Sequence, residues 1–287
     1  MQCFHPRGIA RLAVIAALVS TAACGDDPVA PDGPLAISIQ FDALVDGAQF
    51  TCGQTYPGIG TSSTTITPVD FRFYVHDVAL IDTNGSSVPV ELIQDGQWQR
   101  ENLVLLDFEN GSGPCANGTA AMNDVVRGTV PAGEYTGVRF TLGVPEDMNH
   151  ADQTTATAPL DLTALFWSWN AGYKFLRIDH TSEAQPNGWF VHLGSTGCAP
   201  SGDPTVPATS CRNQHRPTIT FDAFDFETQR IEADYARLLA GSDLTGNTGP
   251  KGCMSFPNDP ECTEVMPRLG LDYEGTPTGG QTFFGIR

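Results

Sequence analysis

The chain has 287 residues, with 15 Lys+Arg against 33 Asp+Glu and a formal charge of −18. That balance excludes nucleic acid as a partner class, because holding phosphates needs a basic surface. Charged residues are only 17% of the chain, while 30 Gly and 21 Pro punctuate it. This is the profile of a turn-rich, β-type exported protein whose 40% hydrophobic residues suffice for a packed core.

Residues 1–24 place Arg7 and Arg11 before an apolar run from Leu12 to Val19, followed by Ser20-Thr21-Ala22-Ala23 and Cys24. Such a segment reads as a secretory leader, too short for a membrane span. Small residues directly before a cysteine resemble the lipobox of bacterial lipoproteins. The resemblance implies lipidation of Cys24 and an outer-membrane lipoprotein at the periplasmic or outer cell surface, with a soluble periplasmic product as the alternative. Loss of the leader removes two arginines and no acids, taking the charge to −20. Residues 25–34, with prolines at 28, 31 and 34, read as an extended tether. Residues 35–287 read as a single β domain that includes a C-terminal extension.

Leu35 to Phe41 alternates apolar and small or polar residues with the period of two that marks a half-buried strand. In Phe71–Leu80 the residues Phe71, Phe73 and Val75 share one face, and Arg72, Tyr74, His76 and Val78 the other, which places His76 toward a polar cleft or solvent. Further strands are expected at 88–93, 98–108, 125–130, 134–142, 173–179, 188–193 and 218–224. Nine strands with little helix between them favour an all-β, antiparallel sandwich or barrel. Two short helices interrupt the pattern. Leu162, Leu165, Phe166 and Trp169 fall at helical spacing behind a capping Asp161; Ile231, Tyr235, Leu238 and Leu239 repeat the stripe within 229–240, ended by Gly241. The tail from Ser242, rich in Gly, Pro and Asp, reads as an irregular extension stapled by disulfides.

Six cysteines remain beyond Cys3 and Cys24: Cys52, Cys115, Cys198, Cys211, Cys253 and Cys262. An even number in an oxidising compartment points to three disulfides, among 15 possible connectivities. Proximity favours Cys198–Cys211 and Cys253–Cys262, leaving Cys52–Cys115. Cys211 and His215 also stand at a Cys-x3-His zinc spacing, but no second close pair accompanies them.

Among the histidines, His76 shares a strand face with Tyr74. His150 sits in a loop beside Met148 and several oxygens, and His192 is a lone polar residue in an apolar strand and needs a partner if buried. Imidazole suits copper or zinc, and thioether selects Cu(I). The denser carboxylates, Glu146-Asp147 and Asp222/Asp225, would be the starting point for a secreted hydrolase. There is no Gly-x-Ser-x-Gly elbow, phosphate-binding Gly loop or dinucleotide fingerprint.

Four segments together resemble the MbnP-like family, the four-cysteine members of a metallo-mystery pair. They are Phe71–Leu80, Gly143–Asp152, Phe166–Phe175 and Val191–Cys198, and Cys52, Cys115, Cys198 and Cys211 fit the four-cysteine signature. The resemblance implies an exported β-sandwich that binds one copper ion, as Cu(I), and is not itself an enzyme. It also implies a dihaem cytochrome c peroxidase-like (MauG-like) partner that oxidises a tryptophan to kynurenine, whose new amine assists copper binding. Related proteins draw the kynurenine from a Trp-x-His pair. The matching place here is Tyr74-Val75-His76, so Trp167 or Trp169 becomes the candidate for modification, with His76, His150 and His192 as candidate ligands. The alternative to copper binding is a metal-free cell-surface binding module or a carboxylate-dependent hydrolase.

Overall fold

The computed structural model describes residues 33–168, 171–199 and 208–287. Ten strands carry the fold: β1 (Leu35–Val45), β2 (Thr64–Asp82), β3 (Leu103–Asp107), β4 (Val125–Val130), β5 (Tyr135–Leu142), β6 (Leu176–Ser182), β7 (Trp189–Leu193), β8 (Thr218–Phe221), β9 (Arg230–Asp234) and β10 (Phe284–Ile286). One sheet runs β10-β9-β1-β4 and ends on Glu91–Leu92; the larger runs β7-β6-β2-β5-β8, with β3 and two shorter strands also paired to β2. Neither sheet closes on itself, so the architecture is a sandwich rather than a barrel. Pairing is antiparallel throughout the larger sheet, but β1 and β9 are parallel, with Phe41 opposite Ile231. That pair departs from a purely antiparallel expectation; β9 arrives beside β1 late in the chain, after the whole larger sheet is built.

The sheets meet through aromatic side chains. Phe41 of β1 packs edge-on against Phe73 of β2 and Phe140 of β5, at centroid distances of 6.1 and 5.5 Å. Edge-to-face pairs of this kind add to the area buried, and Phe71, Phe283 and Phe284 extend the cluster. Phe71, Phe73 and Val75 therefore face the sandwich interior.

The other face of β2 is not open. Arg72, Tyr74 and His76 are all buried, under a layer of connections that includes Gly143 and Pro159. Tyr74 Oη donates to the Pro159 carbonyl at 2.8 Å, and His76 Nδ1 lies 2.8 Å from the Gly143 carbonyl. Alternation in a sequence reports two faces but not a second covering layer, so a face expected to meet a polar cleft or solvent is instead buried and lined with paired groups.

The helix expected from Leu162 to Trp169 does not form. A single 3-10 turn at Thr163–Leu165 leads into a short strand, Phe166–Ser168, that pairs with Gly172–Tyr173, and Asp161 makes no cap. Phe166 packs on Tyr173 across this ribbon; aromatic cross-strand pairing outweighs a helical stripe barely two turns long. The second expected helix is half strand: β9 occupies Arg230–Asp234, and only α1 (Tyr235–Leu239) is helical, capped by Asp234 accepting from the Ala236 amide. The extension contains one more helix, α2 (Cys262–Arg268). The disulfides are Cys52–Cys115, Cys198–Cys211 and Cys253–Cys262. No helix among the described residues is long and apolar enough to cross a membrane. Cys24 and Trp169 lie outside the described residues.

Candidate metal centre at one end of the larger sheet

A continuous backbone row crosses the larger sheet at one end. The Gly143 amide donates to Tyr74, Tyr74 to Phe175, and Phe175 to Leu193. The residues just beyond this row belong to loops that carry His150, Gly194 and His215, and Trp167, on the short Phe166–Ser168 strand, packs against Gly194.

His76 projects past the row from β2. A carbonyl can only accept, so its contact with Gly143 puts the ring proton on Nδ1 and leaves the lone pair on Nε2. Burial lowers its pKa, against the Gly143 carbonyl and Asp77, so the ring is neutral at pH 7. His215 repeats the arrangement: its Nδ1 is 2.8 Å from the Gly194 carbonyl, and burial again lowers its pKa.

His192 on β7 is held from the opposite side. Its Nε2 is 2.7 Å from Asp179 Oδ1 on β6. Asp179 accepts from Arg177 at 2.8 Å, Arg177 also meets Asp70 at 3.0 Å, and Asp70 accepts from Arg72 at 2.8 Å. Burial acts to raise the Asp179 carboxyl, but His192 and Arg177 outweigh it and hold it below the usual carboxylate range. Burial lowers the His192 pKa even with Asp179 beside it. Its Nδ1 is buried and has no hydrogen-bond partner among the described residues.

Trp167 stands over this histidine, with ring centroids 6.2 Å apart. It is half-buried, stacks on Phe256 at 5.9 Å, and packs so closely on Gly194 that an added Cβ there would lie 2.5 Å from Cζ3. Glycine at 194 therefore leaves room for the indole to approach the backbone beside His192.

His150 faces elsewhere. Its Nε2 lies 3.2 Å from Asn149 Nδ2 and 3.2 Å from Cys211 Sγ. Together with Cys198 and Cys211 it forms, among the described residues, the one group of three or more His, Cys, Asp or Glu ligand atoms within 4.8 Å of one another. Because those two sulfurs are bonded to each other, the group offers no thiolate while oxidised. His76, His150 and His192 thus do not converge on one point as a three-residue set. His180, deeper in the fold, bonds Tyr235 at 2.8 Å and stacks on Trp189, and burial pushes its pKa down to about 3.

The arrangement fits a nitrogen-ligated metal. A ligating histidine usually gives its other nitrogen to a carbonyl or carboxylate, which fixes tautomer and ring orientation; His76, His192 and His215 each show that bond. The unpartnered Nδ1 of His192 is a donor atom without another structural use. Sequence reasoning did not select His215, because its spacing from Cys211 pointed to zinc and the signal that matters is its contact with Gly194. Two of the denser carboxylates have structural duties: Glu146 pairs with Arg216 at 2.6 Å, and Asp225 organises its own turn through Glu227 and Thr228.

The MbnP family profile matches residues 34–255. Among solved structures, MbnP from Methylosinus trichosporium superposes with a TM-score of 0.77 and 29% identity, over 88% of this chain and 98% of that one. No curated protein matches the chain. The matched span contains both sheets' principal strands, the histidines and Trp167, and the chain belongs to the MbnP family.

Proposed function

We propose that the protein is an exported copper-binding protein that holds Cu(I) at this end of the larger sheet, with His192 and a kynurenine derived from Trp167 as principal ligands and the neighbouring histidines in support. The observation that carries the proposal is the His192–Trp167 pair: a neutral imidazole with an unpartnered buried Nδ1, oriented by Asp179, beside a half-buried indole. Neutral nitrogen donors in a low-coordinate set suit Cu(I). Two histidines completed by an aniline nitrogen need no third histidine at the same point, which agrees with the spread of His76, His150 and His192.

Family membership supports a dihaem cytochrome c peroxidase-like partner as the oxidant of the tryptophan. Trp167 and the exposed Phe256 on which it stacks supply a surface for that encounter. A mature charge of −20 would steer a partner with a basic patch. The leader and Cys24 support a lipid-tethered location facing the periplasm or the cell surface. The protein binds and presents copper and does not turn over a substrate.

The test is co-expression with the haem partner, followed by mass spectrometry of the peptide spanning residues 160–176 and Cu(I) competition. One carbon lost and one oxygen gained at Trp167, with copper uptake that falls in His192→Ala, is the expected result. An unmodified Trp167 in protein that nevertheless takes up copper would overturn the assignment.

A further inference from the structure

We infer that His150, Cys198 and Cys211 form a second, redox-gated site for Cu(I), closed while the Cys198–Cys211 disulfide is intact and opened by its reduction. The donor set is distinct from the histidine and tryptophan site and does not depend on it.

Three features of the structure lead to this site. The first is proximity: the ligand atoms of all three residues lie within 4.8 Å of one another, with His150 Nε2 3.2 Å from Cys211 Sγ. The second is the state of the imidazole. Asn149 Oδ1 accepts from the Tyr173 amide at 3.0 Å, so the Asn149 atom facing His150 Nε2 is the amide nitrogen, which can only donate. Nε2 therefore carries the lone pair, on the side where Cys211 lies.

The third feature is that the hairpin does not need its disulfide to keep the sulfurs together. Thr196–Cys198 pairs with Cys211–Asn213, and the Ala199 amide bonds Ser210 at 2.9 Å. Asn213 donates to Thr196 at 3.0 Å, and Ser195 donates to the Gln214 carbonyl at 2.8 Å. Opening the S–S bond leaves this ladder in place, and two thiols stay directly opposite each other beside the imidazole.

The opening step is a thiol–disulfide exchange with a dithiol reductant. Cys198 is half-buried between exposed neighbours, whereas Cys211 is buried, so the incoming thiolate attacks Cys198 Sγ and Cys211 leaves as thiolate. The reductant's second thiol then attacks the mixed disulfide and releases Cys198. The reductant ends as a disulfide, and its two protons pass to the two cysteines. Cu(I) binding displaces those protons, giving one imidazole and two thiolates around the ion. Soft thiolates with a single imidazole in a three-donor set suit Cu(I), while structural zinc takes four ligands.

The experiment uses the full mature chain with and without a phosphine reductant, titrated with Cu(I) against a chromophoric chelator and followed by X-ray absorption at the copper edge. Reduction should add one equivalent of bound Cu(I) with two sulfur and one nitrogen neighbours. The added equivalent should vanish in Cys198→Ser/Cys211→Ser and weaken at least about tenfold in His150→Ala. If the double variant misfolds, the His150→Ala titration and the neighbour count decide. No added equivalent on reduction, an added equivalent that survives loss of both cysteines, or a copper environment without nitrogen that His150→Ala leaves unchanged would each overturn the inference. Failure of the tryptophan site shows separately, as absence of copper in the matured, oxidised protein.

Discussion

Replacing Asp107 with Asn should make the protein more stable at alkaline pH and flatten its pH dependence. Asp107 closes β3, is fully buried, and among the described residues its side chain accepts only a 3.2 Å bond from the Glu109 amide through one oxygen, the other oxygen having no partner there. Burial raises its pKa from 3.8 to about 8, against the opposing pull of Arg72. The folded-state value thus exceeds the unfolded one. Its contribution to stability is full below the unfolded pKa, declines as pH rises, and is lost by the time pH passes the folded pKa. A gap of about four pH units at about 1.4 kcal/mol each sets a ceiling of about 5–6 kcal/mol, and relaxation of the buried site brings the expected difference to about 2–4 kcal/mol. Urea unfolding of both proteins from about pH 4 to about pH 9 measures it, because titrations common to both cancel in the difference. Asp107→Asn should gain on the wild type steadily across that range. Parallel stability profiles for the two proteins would refute the reasoning.

Asp179→Asn should weaken copper binding about 10–100-fold by releasing His192, and should cost about 3–5 kcal/mol of stability because Arg177 loses a buried partner; chelator competition and thermal melts read the two effects apart, and unchanged affinity in folded variant would count against the role of the pair. Gly194→Ala should drive Trp167 off His192, since the new Cβ would lie 2.5 Å from the indole and 2.9 Å from the Tyr173 carbonyl. Altered tryptophan emission and lost oxidation of Trp167 are expected, whereas normal maturation would contradict that packing. Among the disulfides, losing Cys52–Cys115, which spans 63 residues, should cost about 4 kcal/mol, and losing Cys253–Cys262, which spans 9, about 3 kcal/mol, from loop-closure entropy. Paired cysteine-to-alanine variants and denaturant titration check the order.

Strands with clean alternation were legible from sequence. β4 falls on the expected residues 125–130, and β5 and β7 differ from expectation by one residue at an end. The expected 98–108 strand is a hairpin, Gln99–Arg100 returning into β3, with a turn at Glu101 in the left-handed region that no Gly announces. The aromatic segment around Trp167 misled because apolar residues at i, i+3 and i+4 also suit a twisted ribbon when Phe166 has Tyr173 opposite it. At the site, the residue types were readable but their partners were not. His192 needs a partner if buried, and it has Asp179, thirteen residues away on the neighbouring strand. His215 meets Gly194 only through tertiary packing, and burial of Arg72 depends on Asp70 and Glu109 together.

The most direct measurement is the Cu(I) content and the residue 160–176 peptide mass of full-length protein produced with and without a dihaem peroxidase-like partner. Copper uptake that appears together with conversion of Trp167, and drops in His192→Ala, is the predicted result. Equal copper uptake with and without conversion, or conversion with no gain in copper affinity, would contradict a metal centre built on His192 and Trp167.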